Sequence, residues 1–295
     1  MELTAGNVAV VTGAGSGIGR ALAERFARSG LNLVLADVQD DALVATAEAI
    51  AALGVDALPI RTDVSVEGDV QALAAATIDR FGAVHLVCNN AGVAGKGEPW
   101  FGPLSSWQWV LGVNLWGVIH GIRAFLPHLL GGGHIVNTAS VAGLLPGFGP
   151  AYDATKHAVV AISEDLYTDM RTAGLPVGVS VLCPGWVRTN ILDSDRNWPE
   201  QLGERPPDVA VSAIERHVRR AIDEGATPAF IADQVADAVM ADCFWVIPQQ
   251  EFLDLTVERW HRIADRLDPV PPEHVPGLPP RSEIVAELLG GSSIT

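Results

Sequence analysis

Short apolar runs without charge recur along the chain, separated by stretches long enough for one helix each. Val8-Ala9-Val10-Val11, Leu31 to Ala36, Val55 to Ile60, Val84 to Cys88, Ile135 to Thr138, Val177 to Cys183 and Phe244-Trp245-Val246-Ile247 do not alternate in and out. They read as strands buried on both faces of a parallel sheet. Helical spacing between them predicts helices through Phe26 to Gly30, from Asp40 to Leu53, Glu67 to Phe81, Ser106 to Leu130, and after Tyr152 to Ala173. Gly174 supplies a C′-type stop for the last of these. Thr227-Pro228 gives an N-cap and first-turn proline for a helix to Asp242. Strand-then-helix units without a linker predict one α/β domain over residues 1–250, a doubly wound seven-stranded parallel sheet with helices on both faces. Residues 190–226 show no strand pattern and are rich in charge, which predicts a mobile lid with a helix near Val209 to Asp223. Residues 251–295 form an extension: a helix from Glu251 to Asp268, then a proline-rich stretch from Pro269 to Pro280, expected to cover a neighbouring surface.

The 295 residues carry a formal net charge of -16. Without a basic run, that charge argues against nucleic-acid partners and disfavours polyanionic substrates. Residues 124–152 lack charge, but Pro127, Gly131-Gly132-Gly133, Asn137 and Pro146 interrupt them, so they read as a buried strand with loops and no membrane span. Cys88, Cys183 and Cys243 are far apart, which predicts reduced core thiols in a cytoplasmic protein. The first residues show neither the basic nor the apolar region of a signal peptide. His120, His128, His134 and His157 have no ligand-spaced partners, so no metal is expected.

Candidate chemistry begins after the first strand, where Thr12-Gly13-Ala14-Gly15-Ser16-Gly17-Ile18-Gly19 leads into a helix. Glycines at such a turn let backbone amides approach a phosphate, and the helix N-terminus adds favourable partial charge. The spacing is T-G-x-x-x-G-x-G and departs from G-x-G-x-x-G. Asp37 ends the second strand, 18 residues past Gly19, where an acidic residue meets adenosine ribose hydroxyls and repels a 2′-phosphate. Neither Ser16 nor Val38 is basic, which favours NAD over NADP. Asn89-Asn90-Ala91-Gly92 follows the fourth strand, at a sheet end where ligands bind. Tyr152 and Lys156 are four apart and share a helix face. A cation beside a phenol lowers its pKa from about 10. Ser140, leaving the fifth strand, is placed to hold a substrate oxygen beside that phenol.

Four motifs in this order, Thr12 to Gly19, Asn89 to Gly92, Ser140 with Tyr152 and Lys156, and Pro184-Gly185, resemble the short-chain dehydrogenase/reductase family from about residue 5 to 250. The resemblance implies a Rossmann-type fold and hydride transfer to or from a nicotinamide. It implies that Gly13, Ser16, Gly17, Ile18 and Gly19 hold the dinucleotide, with Asp63 and Val64 beside the adenine and Asn90, Ala91 and Gly92 as a wall. Pro184, Val187 and Thr189 then meet the nicotinamide, and Lys156 binds its ribose with Tyr152. Tyr152 acts as general acid/base, Ser140 orients the substrate oxygen, and Asn114 is the fourth catalytic residue, its amide or its backbone carbonyl holding a water that leads to Lys156. The helices bearing Asn114 and Tyr152 form a homo-oligomer interface, as a dimer or tetramer. Ser140 precedes Tyr152 by 12 residues, one fewer than in many members. The reading is an NAD-dependent alcohol dehydrogenase or carbonyl reductase acting on a small-molecule alcohol or ketone. Trp100, Leu145, Phe148, Trp186 and Trp198 are candidates for a hydrophobic pocket. Use of NADPH, isomerisation or elimination at the same constellation, and dinucleotide sensing without chemistry are the alternatives.

Overall fold

A computed structural model describes residues 1–95, 100–205 and 213–290. Strands β1 (Val8–Thr12), β2 (Asn32–Asp37), β3 (Ala57–Arg61), β4 (Leu86–Asn89), β5 (Gly133–Thr138), β6 (Val177–Leu182) and β7 (Trp245–Val246) form one parallel sheet in the order β3-β2-β1-β4-β5-β6-β7. The apolar runs are continuous because each strand feeds two cores. Ala9, Val11, Leu33 and Leu35 face α1 (Gly17–Arg28), α2 (Asp40–Ala51) and α8 (Pro228–Ala241), through Phe26, Ile50 and Val235 among others. Val8, Val10 and Val34 face α3 (Glu67–Phe81), α5 (Gly117–Leu129) and α6 (Pro150–Thr172), through Leu73, Phe125 and Leu166. Strand bounds shift by one or two residues from the apolar runs because pairing follows neighbours: Leu33 pairs with Ala57, which leaves Val55 outside β3.

The helix expected over Ser106 to Leu130 is broken in register. α4 (Leu104–Leu111) passes through a π-helical segment, Gly112–Trp116, before α5. Asn114 lies in that segment, fully buried, where an asparagine in a regular helix is ordinarily exposed. Its Oδ1 accepts from the Val93 amide at 2.8 Å and its Nδ2 donates to the Val93 carbonyl at 2.9 Å. A π-bulge of this kind marks functional sites in many helices. The run Leu104–Leu129 is long and apolar enough to cross a bilayer, but 50% of its most apolar window is buried inside the fold.

The Thr227 hydroxyl accepts from the Phe230 amide at 3.1 Å, capping α8 as the sequence suggests. α7 (Ala213–Asp223) covers most of the helix expected in the lid region; residues 209–212 of that expectation lie outside the described residues. In the extension, Gln250–Phe252 forms a 3-10 turn ahead of α9 (Leu253–Ala264), and α10 (Arg281–Gly290) follows the prolines where no helix was expected. Cys243 is exposed, so the expectation of three core thiols holds for Cys88 and Cys183 only; its strand ends the sheet and leaves the preceding turn in solvent.

Candidate active site

The strand order reverses between β1 and β4, and a crevice opens there at the carboxyl ends of the strands. It widens into a cleft of about 1600 Å³. Thr12 ties its two sides together: its hydroxyl accepts from the Asn90 and Ala91 amides at 2.9 and 3.0 Å, and its carbonyl accepts from Asn90 Nδ2 at 3.0 Å. Gly13 has φ +69°, and a Cβ there would sit 2.9 Å from Ala91 Cα, so only glycine lets the turn and the Asn90 loop approach this closely. Gly13, Ser16, Gly17, Ile18, Asn90, Ala91 and Gly92 all line the cleft. Ser16 is the N-cap of α1 and makes no side-chain cap bond, so the first-turn amides keep their donors for an anion.

Gly19 does not line the cleft. A Cβ on it would lie 2.1 Å from the Gly13 carbonyl oxygen, so its part is to let α1 pack under the turn. Gly19→Ala is expected to cost about 1–3 kcal/mol of stability by overpacking, seen as a lower urea midpoint, and to weaken dinucleotide binding through the displaced turn.

Asp37 lines the cleft with its carboxylate fixed by two amides, Gly15 N–H to Oδ2 at 2.9 Å and Gln39 N–H to Oδ1 at 3.0 Å. Its register partner on β3 is the cation Arg61. Arg61 Nε lies 3.6 Å from Asp40 Oδ2, and Arg61 is not a cleft residue. Asp63 and Val64 line the same end: Asp63 Oδ1 accepts from the Ser65 amide and hydroxyl at 2.9 and 2.7 Å, and the Val64 carbonyl meets His120 Nδ1 at 2.9 Å.

At the other end stand Ser140, Tyr152 and Lys156, with Pro184, Val187 and Thr189 beside them. The Ser140 hydroxyl accepts from the Ala142 amide at 3.1 Å and donates to the Pro184 carbonyl at 3.3 Å, which fixes its rotamer. Lys156, buried on α6, donates from Nζ to the Thr138 carbonyl at 2.8 Å. Its ammonium lies 5.5 Å from the Tyr152 ring centroid. A Cβ on Gly92 would lie 3.5 Å from Asn114 Oδ1 and 3.7 Å from Lys156 Nζ, so Asn114 stands across Gly92 from the lysine. Asn114 itself does not line the cleft; its side-chain amide holds the Val93 backbone and reaches Thr155 Oγ1 at 3.4 Å, which leaves its backbone carbonyl as the group for a water toward Lys156.

The titration of the pair differs from the sequence expectation. Burial pushes the Tyr152 phenol up to about 12, against its hydrogen bond with Ser140, which lowers it. Burial also pulls the Lys156 ammonium down to about 8. The phenol is therefore protonated at neutral pH, the form that donates to a carbonyl oxygen. Ketone reduction is expected to fall and alcohol oxidation to rise as pH climbs through the alkaline range, measured as kcat/KM in each direction. Stability follows from the same shifts. Between about 8 and the ordinary lysine value the unfolded chain holds a proton that folded Lys156 has released, so stability rises with pH there. From the ordinary tyrosine value to about 12 the folded chain holds the extra proton, so stability falls. Lys156→Met should flatten the first slope in thermal melts.

Two parts of the site gave no sequence signal. Asp153, buried beside Tyr152, accepts from the Gly147 amide at 2.7 Å and from those of Phe148 and Gly149 at 3.2 and 3.4 Å. It thus holds the short loop between Ser140 and Tyr152 against the start of α6. The extension folds over the cleft: Trp186 Nε1 donates to the Pro276 carbonyl at 2.6 Å, and Leu255 and Val275 pack with Leu145, Phe148 and Trp186. Of the aromatic candidates, Phe148 and Trp186 line the cleft, as does Leu145. Trp100 is 69% exposed and stacks at 6.1 Å on Trp107, and Trp198 packs edge-on at 5.2 Å on Trp109; neither reaches the cleft surface.

A hydroxyl, a phenol and a buried amine at one end of a cleft, with a glycine turn and two carboxylates at the other, define a site built for a dinucleotide and a small reactant. The short chain dehydrogenase family model matches residues 7–200. Over 189 residues the chain is 44% identical to 1-deoxy-11-beta-hydroxypentalenate dehydrogenase of Streptomyces avermitilis, covering 62% of this chain and 69% of that protein. It is 36% identical over 241 residues to 2-(R)-hydroxypropyl-CoM dehydrogenase of Xanthobacter autotrophicus, covering 79% and 89%. Among solved structures, a short chain dehydrogenase/reductase from Burkholderia phymatum in complex with NAD superposes with a TM-score of 0.89 at 43% identity, covering 93% of this chain and 100% of that one. The chain belongs to the short-chain dehydrogenase/reductase family, whose members use a nicotinamide dinucleotide, and it is an oxidoreductase of that family.

Proposed function

We propose that the protein interconverts a hydrophobic secondary alcohol and its ketone with NAD as hydride carrier. The observation that carries this is the placing of Ser140, Tyr152 and Lys156 in one cleft with Asp37 and the glycine turn. Gly13, Ser16, Gly17, Ile18, Asp63, Val64 and the Asn90-Ala91-Gly92 wall hold the dinucleotide. Lys156 and Tyr152 bind the nicotinamide ribose, and Pro184, Val187 and Thr189 flank the nicotinamide. When bound, the dinucleotide supplies the hydride. Ser140 holds the substrate oxygen, and Tyr152 delivers or takes its proton. Asn114 keeps the Val93 backbone in place beside Gly92. The apolar reactant is supported by Leu145, Phe148, Trp186 and Leu255 around the same cleft.

The fixed Asp37 carboxylate and the pairing of Arg61 with Asp40 favour NAD over NADP. A homo-oligomer is part of the reading, supported by the exposed Phe101 ahead of α4, Leu104 at its start and Trp116 at the end of the π-helical segment. So is a cytoplasmic location, supported by three free thiols. A panel of secondary alcohols and ketones of increasing size, followed by NADH absorbance, tests the proposal. It predicts turnover that improves with apolar bulk; substrate conversion without net change in NADH would place the activity with isomerases or lyases.

A further inference from the structure

The chain has 35 acidic against 19 basic residues, so several arginines without carboxylate partners gathered at one cleft need a reason. Nine arginines have such partners on the surface, from Arg20 with Glu24 to Arg219 with Asp193. Among the described residues eight arginines have none: Arg123, Arg188, Arg220 and Arg266 lie off the cleft, and Arg196, Arg259, Arg262 and Arg281 line it.

α9 makes the arrangement specific. Leu255, Glu258, Arg259 and Arg262 recur at helical spacing and line the cleft, with Ile263 at its edge 49% exposed, whereas Val257 and Trp260, 52% and 57% exposed, do not line it. The helix turns its arginines toward an apolar cleft and leaves large apolar side chains in solvent, the reverse of ordinary amphipathic patterning. Arg262 donates from Nε and Nη2 to the Asp268 carbonyl at 3.1 and 2.6 Å, so its fork is braced while Nη1 is left over. Arg259 has its guanidinium 5.5 Å from the Trp260 ring centroid. Arg196 is braced in the same way by the Asn190 and Asp193 carbonyls at 3.2 and 2.7 Å. Two glutamates share the rim. Glu273 is held by the Ser282 amide and hydroxyl at 3.1 and 2.5 Å and feels Arg281 only at longer range. Glu258 lies on the α9 face itself; the other two cleft carboxylates, Asp37 and Asp63, stand beside the glycine turn, so at the extension the arginines outnumber the carboxylates.

We infer that the substrate, within the alcohol and ketone chemistry proposed above, has an apolar body ending in a carboxylate, which Arg259 and Arg262 of α9 hold on the side of the cleft that the extension lines. This rests on the proposed oxidoreductase reading for the reacting end only. An arginine fork is suited to a carboxylate, which it meets with two parallel hydrogen bonds. The cleft's apolar lining supplies affinity and the arginines supply selection, which reconciles a strongly acidic chain with an anionic substrate.

Octanoate and octanamide, which differ in charge and little in shape, are titrated calorimetrically into the full chain, so the readout does not depend on turnover. Octanoate is expected to bind roughly tenfold tighter, the scale of one charge-assisted hydrogen bond. That ratio should shrink with added salt, collapse toward one in Arg259→Met/Arg262→Met, and survive in Arg259→Lys. Equal affinities, absence of octanoate binding at millimolar concentration, or a ratio indifferent to the double substitution overturns the inference. An NADH titration of the double variant covers the other source of anion: a loss there as large as the loss for octanoate assigns the arginines to the dinucleotide diphosphate and also overturns it. Hydride transfer to neutral ketones together with equal affinities would sink the carboxylate subsite alone and leave the oxidoreductase reading in place.

Discussion

Tyr152→Phe is expected to lower kcat by about 10²–10⁴-fold, the usual contribution of a positioned proton donor, while NADH still binds, weaker by about tenfold at most for the one ribose hydrogen bond lost. The substitution removes one oxygen and leaves a ring that packs as before. The Ser140 hydroxyl stays fixed by Ala142 and Pro184, and Lys156 stays on the Thr138 carbonyl, since neither bond involves the phenol. Loss of turnover with intact dinucleotide binding would separate proton transfer from assembly of the site. Near-normal kcat would show that another group moves the proton. Lys156 is then the nearest candidate, since burial has brought its ammonium down to about 8.

The second large effect concerns cofactor choice. kcat/KM is expected to be about 100-fold higher with NADH than with NADPH, about 2.7 kcal/mol of discrimination. A 2′-phosphate arriving beside the Asp37 carboxylate meets a like charge that two backbone amides hold in place and that cannot swing away. Asp37→Ser should narrow the ratio by about tenfold or more, since it removes that repulsion. The Arg61 guanidinium, next in register, then becomes the nearest cation for the phosphate. A wild-type preference for NADPH would mean that Arg61 leaves Asp40 to pair with the phosphate, and the cofactor assignment would be wrong.

The sheet was legible in the sequence because burial on both faces leaves a mark that needs no partner to be recognised: Val8 and Val10 serve one core, Ala9 and Val11 the other. Most of the cleft was legible for a related reason. Its glycines and polar residues stand at strand ends, where a both-faces-buried pattern stops abruptly. The packing of Gly19 on the carbonyl of Gly13, six residues back, was not legible, because spacing cannot tell a glycine that meets ligand from one that meets backbone. The burial of Asn114 was not legible because a π-helical segment turns it inward, and nothing in Val113-Asn114-Leu115 announces an extra residue per turn. The lowered phenol was expected from a lysine four residues away; desolvation, which depends on everything packed around both groups, sets the actual direction. Asp153 reads in sequence as an ordinary acidic residue in a first turn, and only the fold brings the Gly147 to Gly149 amides onto it. The extension's place over the cleft rests on contacts such as Trp186 with Pro276, 90 residues apart, which no local pattern encodes.

The most direct test follows the hydride itself. NADH carrying deuterium at C4 is supplied with an apolar methyl ketone, and the product alcohol is analysed by mass spectrometry and NMR. The account predicts deuterium on the carbinol carbon from one face of the nicotinamide only, in wild-type protein, with the rate collapsing in Tyr152→Phe. Alcohol formed without label, or ketone left unchanged across the whole size series while NADH binds normally, would contradict it.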